Sequence, residues 1–249
     1  MLPLLRLRLA APSILVDCAR IDEMKGVKDN GDSVTIGAAT THWDVLHNDI
    51  VKTHVKLLAD ATATVADPQV RHRGTFGGAL AHGDPAGDLP AVVLALDATM
   101  EIAGAKGRRH VAAKDFFVDY FTTAVGPDEI LVSITIPKLG KGWGTCYEKF
   151  NRTASGWAVV GVAAAVKVEG GKITDARIGL TNCAAVPVRA SSVESALKGA
   201  SISAAEIEAA SQSAAEGTRA TSDLAADKEY REHLMRVVTA RAVCCAAGA

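Results

Sequence analysis

Residues 70–90 read Val70-Arg71-His72-Arg73-Gly74-Thr75-Phe76-Gly77-Gly78-Ala79-Leu80-Ala81-His82-Gly83-Asp84-Pro85-Ala86-Gly87-Asp88-Leu89-Pro90. Glycine recurs through this stretch, so the backbone can turn tightly and a ligand can approach it without meeting a Cβ atom. The segment Gly74–Gly78 offers consecutive backbone N–H groups and the Thr75 hydroxyl, which together suit a phosphate or pyrophosphate. The carboxylates of Asp84 and Asp88 follow at a spacing that suits hydroxyl groups. The stretch predicts a site for a nucleotide with a polyhydroxy chain, although the glycine content alone is equally compatible with a plain connection.

The composition describes an ordinary globular protein with one large or two smaller domains. The chain has 249 residues, of which 49% are hydrophobic and 22% charged, so it has enough apolar mass to form real cores. The net charge of −1 argues against a surface for nucleic acid or anionic membrane, because such a surface needs a clear basic excess.

The cysteines argue against a metal cluster held within this chain. There are five, and none belongs to a Cys-x-x-Cys pair, so a zinc ribbon and iron–sulfur ligation are both poorly supported. We interpret the adjacent Cys244 and Cys245 as packed or exposed thiols. The odd count and the lack of a secretion signal predict a cytoplasmic location. The apolar stretch Met1–Leu9 is too short for a membrane span and predicts a short amphipathic helix.

The first half of the chain alternates strand and helix signals. Compact apolar or alternating runs predict strands at Ser13–Asp17, Asp32–Ala38 and Glu129–Pro137, and a hairpin within Thr99–Ala112. A helix is expected after Thr41, whose hydroxyl can cap it. We expect His42, in that helix, to lie at the surface.

A polar, Gly-rich segment at Lys138–Gly144 predicts a boundary between two domains. Beyond it, the sequence predicts a small sheet of three strands that contains a hairpin turn at Glu169–Lys172. Helices are expected around residues 193–197, 204–217 and 228–245, packed on one face of that sheet. No cluster of catalytic residue types stands out in this half.

Several motifs along the chain resemble one family. They are Arg71–Gly78, Asp84–Asp88, Asp128–Leu131, Tyr147–Phe150, Ile36–Thr41, Asp223–Leu224 and Tyr230–Arg231. They occur in the same order in the FAD-binding medium subunits of molybdenum hydroxylases, such as the carbon monoxide dehydrogenase medium chain and the FAD domain of xanthine dehydrogenase. The resemblance implies an α+β fold. A two-subdomain FAD-binding domain of the PCMH-like type would span residues 1–138, and a small α+β domain would span residues 145–249.

The resemblance also implies how FAD is held. Thr75, Gly77 and Gly78 would meet the pyrophosphate, and Asp84 and Asp88 would meet the ribityl chain and neighbouring polar groups. Leu131 would lie near the flavin ring, and Lys149 would approach the ring from the second domain. The full set of cofactor-binding residues implied in this way is Arg73, Gly74, Thr75, Phe76, Gly77, Gly78, Ala79, Asp84, Asp88, Leu131 and Lys149.

The function that the resemblance implies is electron transfer by a flavoprotein subunit of an oxidoreductase. In the family, a large subunit with a molybdenum cofactor oxidises substrate, and a small subunit with [2Fe-2S] clusters passes electrons to the flavin. The implied assembly is a dimer of heterotrimers, and neither nucleic acid binding nor integral membrane insertion is expected. No catalytic residue and no metal ligand are expected here, because the flavin supplies the redox chemistry.

The sequence departs from the family pattern in three ways. Phe76 stands where isoleucine is usual, and Ala79 stands where asparagine or serine is usual, which removes a side-chain hydrogen bond. The family also has a second Gly-rich pyrophosphate loop just before the segment that matches Leu2–Leu4, and we expect this chain to lack it.

Two alternatives to an electron-transfer flavoprotein follow. The first is a flavin-free structural subunit of the same complex, which the expected lack of one loop would favour. The second is a stand-alone flavin oxidase, in which His82 and Asp84 could be proposed as an acid–base pair. The sequence shows no substrate-side base for that activity, and a loop-stabilising or ligand-facing role for the two residues fits better.

Overall fold

The computed structural model describes residues 2–249, with side chains described from residue 4 onward. Helix α1 spans Leu2–Arg6, so the predicted N-terminal helix is present, although its first residue, Met1, lies outside the described residues. The side chains of Leu4, Leu7 and Leu9 are largely exposed.

The first domain is built around an antiparallel sheet of five strands in the order β1-β2-β7-β3-β4. The strands are β1 (Val27–Asp29), β2 (Ser33–Gly37), β3 (Thr99–Gly104), β4 (Gly107–Ala112) and β7 (Glu129–Pro137). The predicted hairpin is the β3–β4 pair, and the predicted strand at Glu129–Pro137 is the centre of the sheet.

Helices fill the long connection between β2 and β3. They are α2 (His42–His47), α3 (Asp49–His54), α4 (Lys56–Ala63), α5 (Pro68–Arg71), α6 (Phe76–His82) and α7 (Asp88–Ala95). A 3₁₀ turn at Asp22–Met24 precedes β1. After β4 come α8 (Ala113–Phe116) and the small hairpin of β5 (Phe117–Asp119) and β6 (Thr122–Thr123).

The predicted strand at Ser13–Asp17 is wrong. None of its residues is in a strand, and the side chains of Ile14 and Val16 are each 78% exposed. A short apolar run indicates burial only when a neighbouring strand covers it, and no strand among residues 2–249 pairs with this segment.

The second domain is an antiparallel sheet with helices on both faces. Its order is β11-β10-β9-β8, with β8 (Trp143–Phe150), β9 (Val160–Glu169), β10 (Lys172–Thr181) and β11 (Val188–Arg189). The sheet therefore has four strands rather than the predicted three. The difference is β11, whose two residues are too few to give a periodic signal. Helices α9 (Ser191–Leu197), α10 (Ala204–Ser211) and α11 (Lys228–Ala247), with a 3₁₀ turn at Gln212–Ala215, complete the chain.

The two faces of this sheet serve two different cores. Successive residues of a strand point to opposite faces. In β9, Val162 and Ala164 therefore join the core formed with α9, α10 and α11, whereas Ala163 joins the core of the first domain. Helices α4 and α7 of the first domain cover this second face. The prediction of helices on a single face thus missed that the first domain covers the other one.

One contact across the domain interface gives a stability prediction. A Cβ atom on Gly179 of β10 would overlap the backbone carbonyl of Ala91 in α7, and a backbone cannot move aside as a flexible side chain can. Gly179→Ala should therefore lower the free energy of unfolding by about 1–3 kcal/mol in a urea titration. Gly140→Ala is the control, because a Cβ atom there meets nothing within 4 Å. Equal stability of the two variants would contradict this packing.

The cysteines include one pair that the sequence did not suggest. Cys146 of β8 and Cys245 of α11 form a disulfide, with their Cα atoms 5.9 Å apart. The prediction that Cys245 is a packed or exposed thiol is therefore wrong. Cys244 remains a free thiol, as do Cys18 and Cys183. The pairing depends on where α11 ends relative to β8, which the spacing of the cysteines in the sequence does not reveal.

None of the helices described between residues 2 and 249 is both long enough and apolar enough to cross a membrane.

Candidate functional site

The Gly-rich stretch runs from the end of α5 through α6 to the start of α7, with a turn at His72 and Arg73 between α5 and α6. Asp67 caps α5 by accepting the backbone N–H of Val70, and Thr75 caps α6 by accepting the N–H of Gly78. Between the helices, Thr75 forms an antiparallel bridge with Thr41. The predicted cap at Thr41 is also present, because its hydroxyl accepts the N–H of Asp44 and donates to the Asp44 carboxylate.

This fold corrects the expectation that consecutive N–H groups are free for a phosphate. The N–H of Phe76 donates to the carbonyl of Thr40, and the N–H of Gly77 donates to that of Ala38. The N–H of Gly78 is taken by the Thr75 hydroxyl. Donors that are already paired inside the protein offer little to an anion. The glycines therefore let a ligand approach the backbone closely, but they do not supply a row of free N–H donors.

A groove runs along the N-terminal turn of α6 and is called the α6 groove below. It consists of two chambers of about 570 and 300 Å³ that share Ala19, Ala39 and Thr75. The larger chamber carries two cationic side chains, Lys25 and Arg73, and two carboxylates, Asp17 and Asp44. The smaller is apolar and is lined by Met24, Ala38, Gly77, Gly78, Ala81, Ile130 and Leu131, among others.

A second space lies where the two domains meet and is called the interdomain cavity. Its volume is about 300 Å³. Ala79 and His82 of α6 line it from the first domain, and Lys149, Ser155 and Trp157 line it from the second. In helix geometry, Ala79 and His82 share one face of α6, while Gly78 and Ala81 share the adjacent face. The cavity and the apolar chamber of the α6 groove thus lie on neighbouring faces of the same short helix.

A buried polar cluster forms one wall of the cavity. The Asp88 carboxylate accepts a hydrogen bond of 2.6 Å from the hydroxyl of Tyr147 and one of 2.9 Å from Nζ of Lys149. The Asp88 and Lys149 side chains are only 4% and 5% exposed. Burial raises the pKa of Asp88 even though the Lys149 ammonium and the Tyr147 hydroxyl oppose that rise, and burial also raises the pKa of Tyr147.

The second domain also holds the loop that leads to Asp88. The Thr181 hydroxyl shares its one proton between the carbonyls of Pro85 and Gly87, and the backbone N–H of Asn182 donates to the carbonyl of Pro85. Residues at the end of β10 therefore fix the position of a loop that lies nearly a hundred residues earlier in the chain.

Asp84 has a structural partner of its own. Its carboxylate accepts the backbone N–H of Ala86, and Nε2 of His82 lies 3.8 Å from its other oxygen. His82 is exposed, and it packs against the ring of Phe121 at 5.1 Å between ring centroids. This geometry fits the loop-stabilising interpretation of the pair better than an acid–base one.

The structure divides the residues singled out in the sequence between the two spaces. Arg73, Thr75, Gly77, Gly78 and Leu131 line the α6 groove, whereas Ala79, Asp84, Asp88 and Lys149 line the interdomain cavity.

Phe76 and Gly74 line neither space and serve packing. Phe76 is fully buried in the core of the first domain. A Cβ atom on Gly74 would lie 2.9 Å from Cδ2 of His42, so the glycine makes room for that ring.

Two residues of the cavity were not singled out as part of a site. Trp157 lies at its edge with 61% of its surface exposed, and an exposed aromatic ring beside an apolar space is suited to cover a planar ligand. His42 lines the cavity and is only 4% exposed, so the expectation that it lies at the surface is wrong. A single sequence carries no signal that distinguishes a histidine buried on a helix from one exposed on it.

The buried His42 gives a pH prediction. Burial, helped by the nearby Arg71 cation, lowers its pKa from 6.5 to about 4. Between these values the unfolded chain binds the proton more readily, so the folded state loses stability as the pH falls. We expect His42 to account for a loss of about 3 kcal/mol between pH 7 and pH 4.

Urea titrations across that range test this expectation. His42→Gln should flatten the pH dependence, and the control His47→Gln, at an exposed position of the same helix, should leave it unchanged. The same slope in wild-type and His42→Gln chains would contradict the assignment.

The two spaces fit a dinucleotide with a planar ring system. The larger chamber of the α6 groove holds the Arg73 and Lys25 cations for phosphates, together with two carboxylates of which Asp44 is engaged by the Thr41 hydroxyl. Glycine backbone lies at the centre of the groove. The apolar chamber and the cavity both accept flat apolar groups. Their volumes lie in the range of ordinary ligand pockets.

Comparisons with known proteins match the whole chain. Residues 1–139 match the model of the FAD binding domain in molybdopterin dehydrogenase, and residues 145–246 match that of the CO dehydrogenase flavoprotein C-terminal domain. The carbon monoxide dehydrogenase medium chain of Hydrogenophaga pseudoflava is 36% identical over 98% of this chain and 85% of that protein. The nicotine 6-hydroxylase medium subunit of Paenarthrobacter nicotinovorans is 34% identical over the same shares of the two chains.

Solved structures agree. A chain of Hydrogenophaga pseudoflava carbon monoxide dehydrogenase, in a form that lacks the Mo-pyranopterin moiety of its cofactor, superposes with a TM-score of 0.96. The two chains are 38% identical, and the match covers 99% of this chain and 86% of that one.

Proposed function

Because the chain belongs to the family of FAD-binding medium subunits of molybdenum hydroxylases, we propose that it binds one FAD across helix α6. The observation that carries this placement is that consecutive residues, Gly78 and Ala79, line the α6 groove and the interdomain cavity. A ligand that crosses the first turn of α6 therefore reaches both spaces. Gly78 is exposed there, so no side chain stands between the ligand and the backbone.

The proposed orientation follows from the character of each space. The diphosphate lies over Thr75 and Gly78, near the Arg73 cation, because phosphate groups need positive charge. The isoalloxazine ring lies in the interdomain cavity, because Trp157 at the edge can cover one of its faces. Leu131 lines the apolar chamber of the groove and not the interdomain cavity, so this placement puts it against the adenosine half and not, as the resemblance implied, near the flavin ring.

The cluster of Asp88, Tyr147 and Lys149 positions the second domain against the flavin. The hydroxyl of Tyr147 and Nζ of Lys149 each donate to one oxygen of the Asp88 carboxylate. In the proposed contact, a ribityl hydroxyl donates to a lone pair of that carboxylate that these two donors leave free. Asp84 stands closer to solvent and offers a second carboxylate to the same hydroxyl-bearing chain.

Bound FAD supplies the redox chemistry, and this chain carries electrons through it. The protein places the ring at a domain interface whose buried walls exclude water on one side. The molybdenum-hydroxylase relatives are medium subunits of larger complexes, and this chain is likewise a subunit of an oxidoreductase. The partners we propose are a small [2Fe-2S] subunit that delivers electrons and a large molybdenum subunit that oxidises substrate. We further propose a dimer of heterotrimers located in the cytoplasm.

Replacement of Trp157 tests the placement of the ring. Trp157→Leu should weaken FAD binding about fivefold, because a stacked aromatic pair contributes about 1 kcal/mol beyond its buried area. It should also increase the fluorescence of the bound flavin, which a stacked indole quenches. Tyr120→Leu is the control, since Tyr120 is an exposed aromatic residue that does not line the cavity. Equal effects of both changes would place the ring elsewhere.

The electron-carrying role is tested by reduction of the FAD-loaded chain with dithionite in the absence of oxygen. Its absorbance near the flavin maximum should disappear and should return when a quinone or dye acceptor is added. A flavin that stays oxidised under these conditions would contradict the role.

A further inference from the structure

The disulfide of Cys146 and Cys245 joins two elements that are far apart in sequence. Ninety-nine positions separate the two residues, and their Cα distance of 5.9 Å lies within the usual disulfide range. Cys245 belongs to the last turn of α11, and Cys146 lies in the middle of β8. A contact beside the bond is equally close, because a Cβ atom on Gly144 would overlap the carbonyl of Ala246. The end of α11 is therefore seated directly on β8.

The two cysteine residues differ in exposure. Cys146 is only 7% exposed, whereas Cys245 is exposed to solvent. The more exposed residue, Cys245, is the one that an external thiolate is expected to attack, and Cys146 is then the sulfur that leaves. The carboxylate of Glu148 lies on the same face of β8, with one oxygen 4.0 Å from Sγ of Cys146. A negative charge there opposes formation of the Cys146 thiolate and so slows its departure.

The opposite face of β8 leads to the flavin cavity. Cys146 and Glu148 point toward α11, so their neighbours Tyr147 and Lys149 point toward the first domain, where they hold Asp88. A change in how α11 is anchored therefore acts on the strand that carries Lys149, which lines the cavity, and Tyr147, which donates to the lining residue Asp88.

We propose that Cys146 and Cys245 form a thiol–disulfide exchange site for low-molecular-weight thiols and disulfides, with Cys245 as the entry sulfur and Cys146 as the resolving one. In the reducing direction, an external thiolate attacks Sγ of Cys245, and the Cys146–Cys245 bond breaks. Cys146 leaves as a thiolate and takes up a proton. A second external thiol then releases Cys245 as a thiol and yields the external disulfide.

The oxidising direction reverses these steps. The Cys245 thiolate attacks an external disulfide, which forms a mixed disulfide and releases one thiol. Cys146 then displaces the second thiol and closes the internal bond. Two electrons and two protons pass from the protein to the external disulfide, so the exchange needs no other reactant.

Mass spectrometry of the full chain with glutathione and its disulfide tests the assignment. Cys146→Ser should accumulate one mixed disulfide at Cys245 after treatment with glutathione disulfide. The wild-type chain should close its internal bond instead. The control Cys244→Ser should behave as wild type, because Cys244 is the adjacent residue and is not bonded. A mixed disulfide that accumulates equally in wild-type and Cys146→Ser chains would overturn the proposal.

Thermal unfolding of the flavin-free chain gives a second test. Reduction should lower Tm by about 10 °C, because a bond that closes a loop of about a hundred residues strongly constrains the unfolded chain.

Glu148→Gln should speed reduction by glutathione about threefold. The set of Cys146, Glu148 and Cys245 also has the spacing of metal ligands. Stoichiometric binding of zinc by the reduced chain, with no closure of the bond in glutathione disulfide, would overturn the proposal.

The link to the cavity rests on the proposed function. Reduction should weaken FAD binding several-fold in the wild-type chain and leave it unchanged in Cys245→Ser. The exchange itself is measured without flavin. A chain that exchanges normally but binds no FAD would therefore refute the proposed site and not the exchange, and a chain that binds FAD but never exchanges would do the reverse.

Discussion

Lys149→Met should lower the free energy of unfolding by about 3–5 kcal/mol, because it leaves the Asp88 carboxylate buried without a cation. The Lys149 and Asp88 side chains are 5% and 4% exposed, so water cannot take the place of the ammonium group. The change also removes the hydrogen bond from Nζ of Lys149 to the carbonyl of Thr64 in the first domain. A urea titration of the flavin-free chain measures the loss.

A second substitution distinguishes the unpaired charge from lost packing. In Lys149→Met/Asp88→Asn, the side chain at position 88 is neutral and still accepts the Tyr147 hydroxyl, so most of the stability should return. A double variant as unstable as the single one would contradict the account.

The pH dependence of the free energy of unfolding also distinguishes the unpaired charge from lost packing. Burial already raises the pKa of Asp88, and loss of the cation raises it further. A carboxyl with a raised pKa binds its proton more tightly in the folded state than in the unfolded state. The stability that Lys149→Met loses relative to the wild-type chain should therefore shrink as the pH falls.

Gly78→Asp should weaken FAD binding about 100-fold or more. Gly78 is exposed on the α6 groove, where the proposed diphosphate crosses α6, and a carboxylate there would face the phosphate charges. Like charges in direct contact cost several kcal/mol, and each 1.4 kcal/mol is about tenfold in affinity. Equilibrium dialysis with FAD, or titration of flavin fluorescence, measures the change.

The control for this substitution is Gly78→Ala. Both changes place a Cβ atom close to the Thr75 hydroxyl, so both disturb the cap of α6 to the same extent. Only the aspartate adds a charge. Similar losses in the two variants would show that the cap, rather than the diphosphate, is responsible, and undiminished binding in both would remove the site from this groove.

Local signals in the sequence predicted much of the fold. The β-branched, alternating residues 129–137 predicted the central strand β7, and the long helical stretch near the C-terminus predicted α11. The family assignment and FAD, which the motifs implied, are confirmed by the comparisons. In these cases each element carries its own pattern, so no long-range contact is needed to recognise it.

The arrangement of the site depended on contacts that the sequence does not display. The pairing of Asp88 with Tyr147 and Lys149 joins residues about sixty positions apart across two domains. The N–H groups of Phe76 and Gly77 were expected to be free, but they donate to the carbonyls of Thr40 and Ala38 in the turn after β2. No local pattern in the sequence predicts that this turn packs against the start of α6. The Cys146–Cys245 bond likewise depends on the register of α11 against β8.

The most direct test of the account is calorimetric titration of FAD into the full chain, with Gly78→Ala and Gly78→Asp titrated in parallel. We expect one FAD per wild-type chain, a modest loss of affinity in Gly78→Ala and a loss of about 100-fold in Gly78→Asp. Binding of FAD with the same affinity by all three chains would contradict the proposed site. Failure of the wild-type chain to bind FAD would contradict the account as a whole.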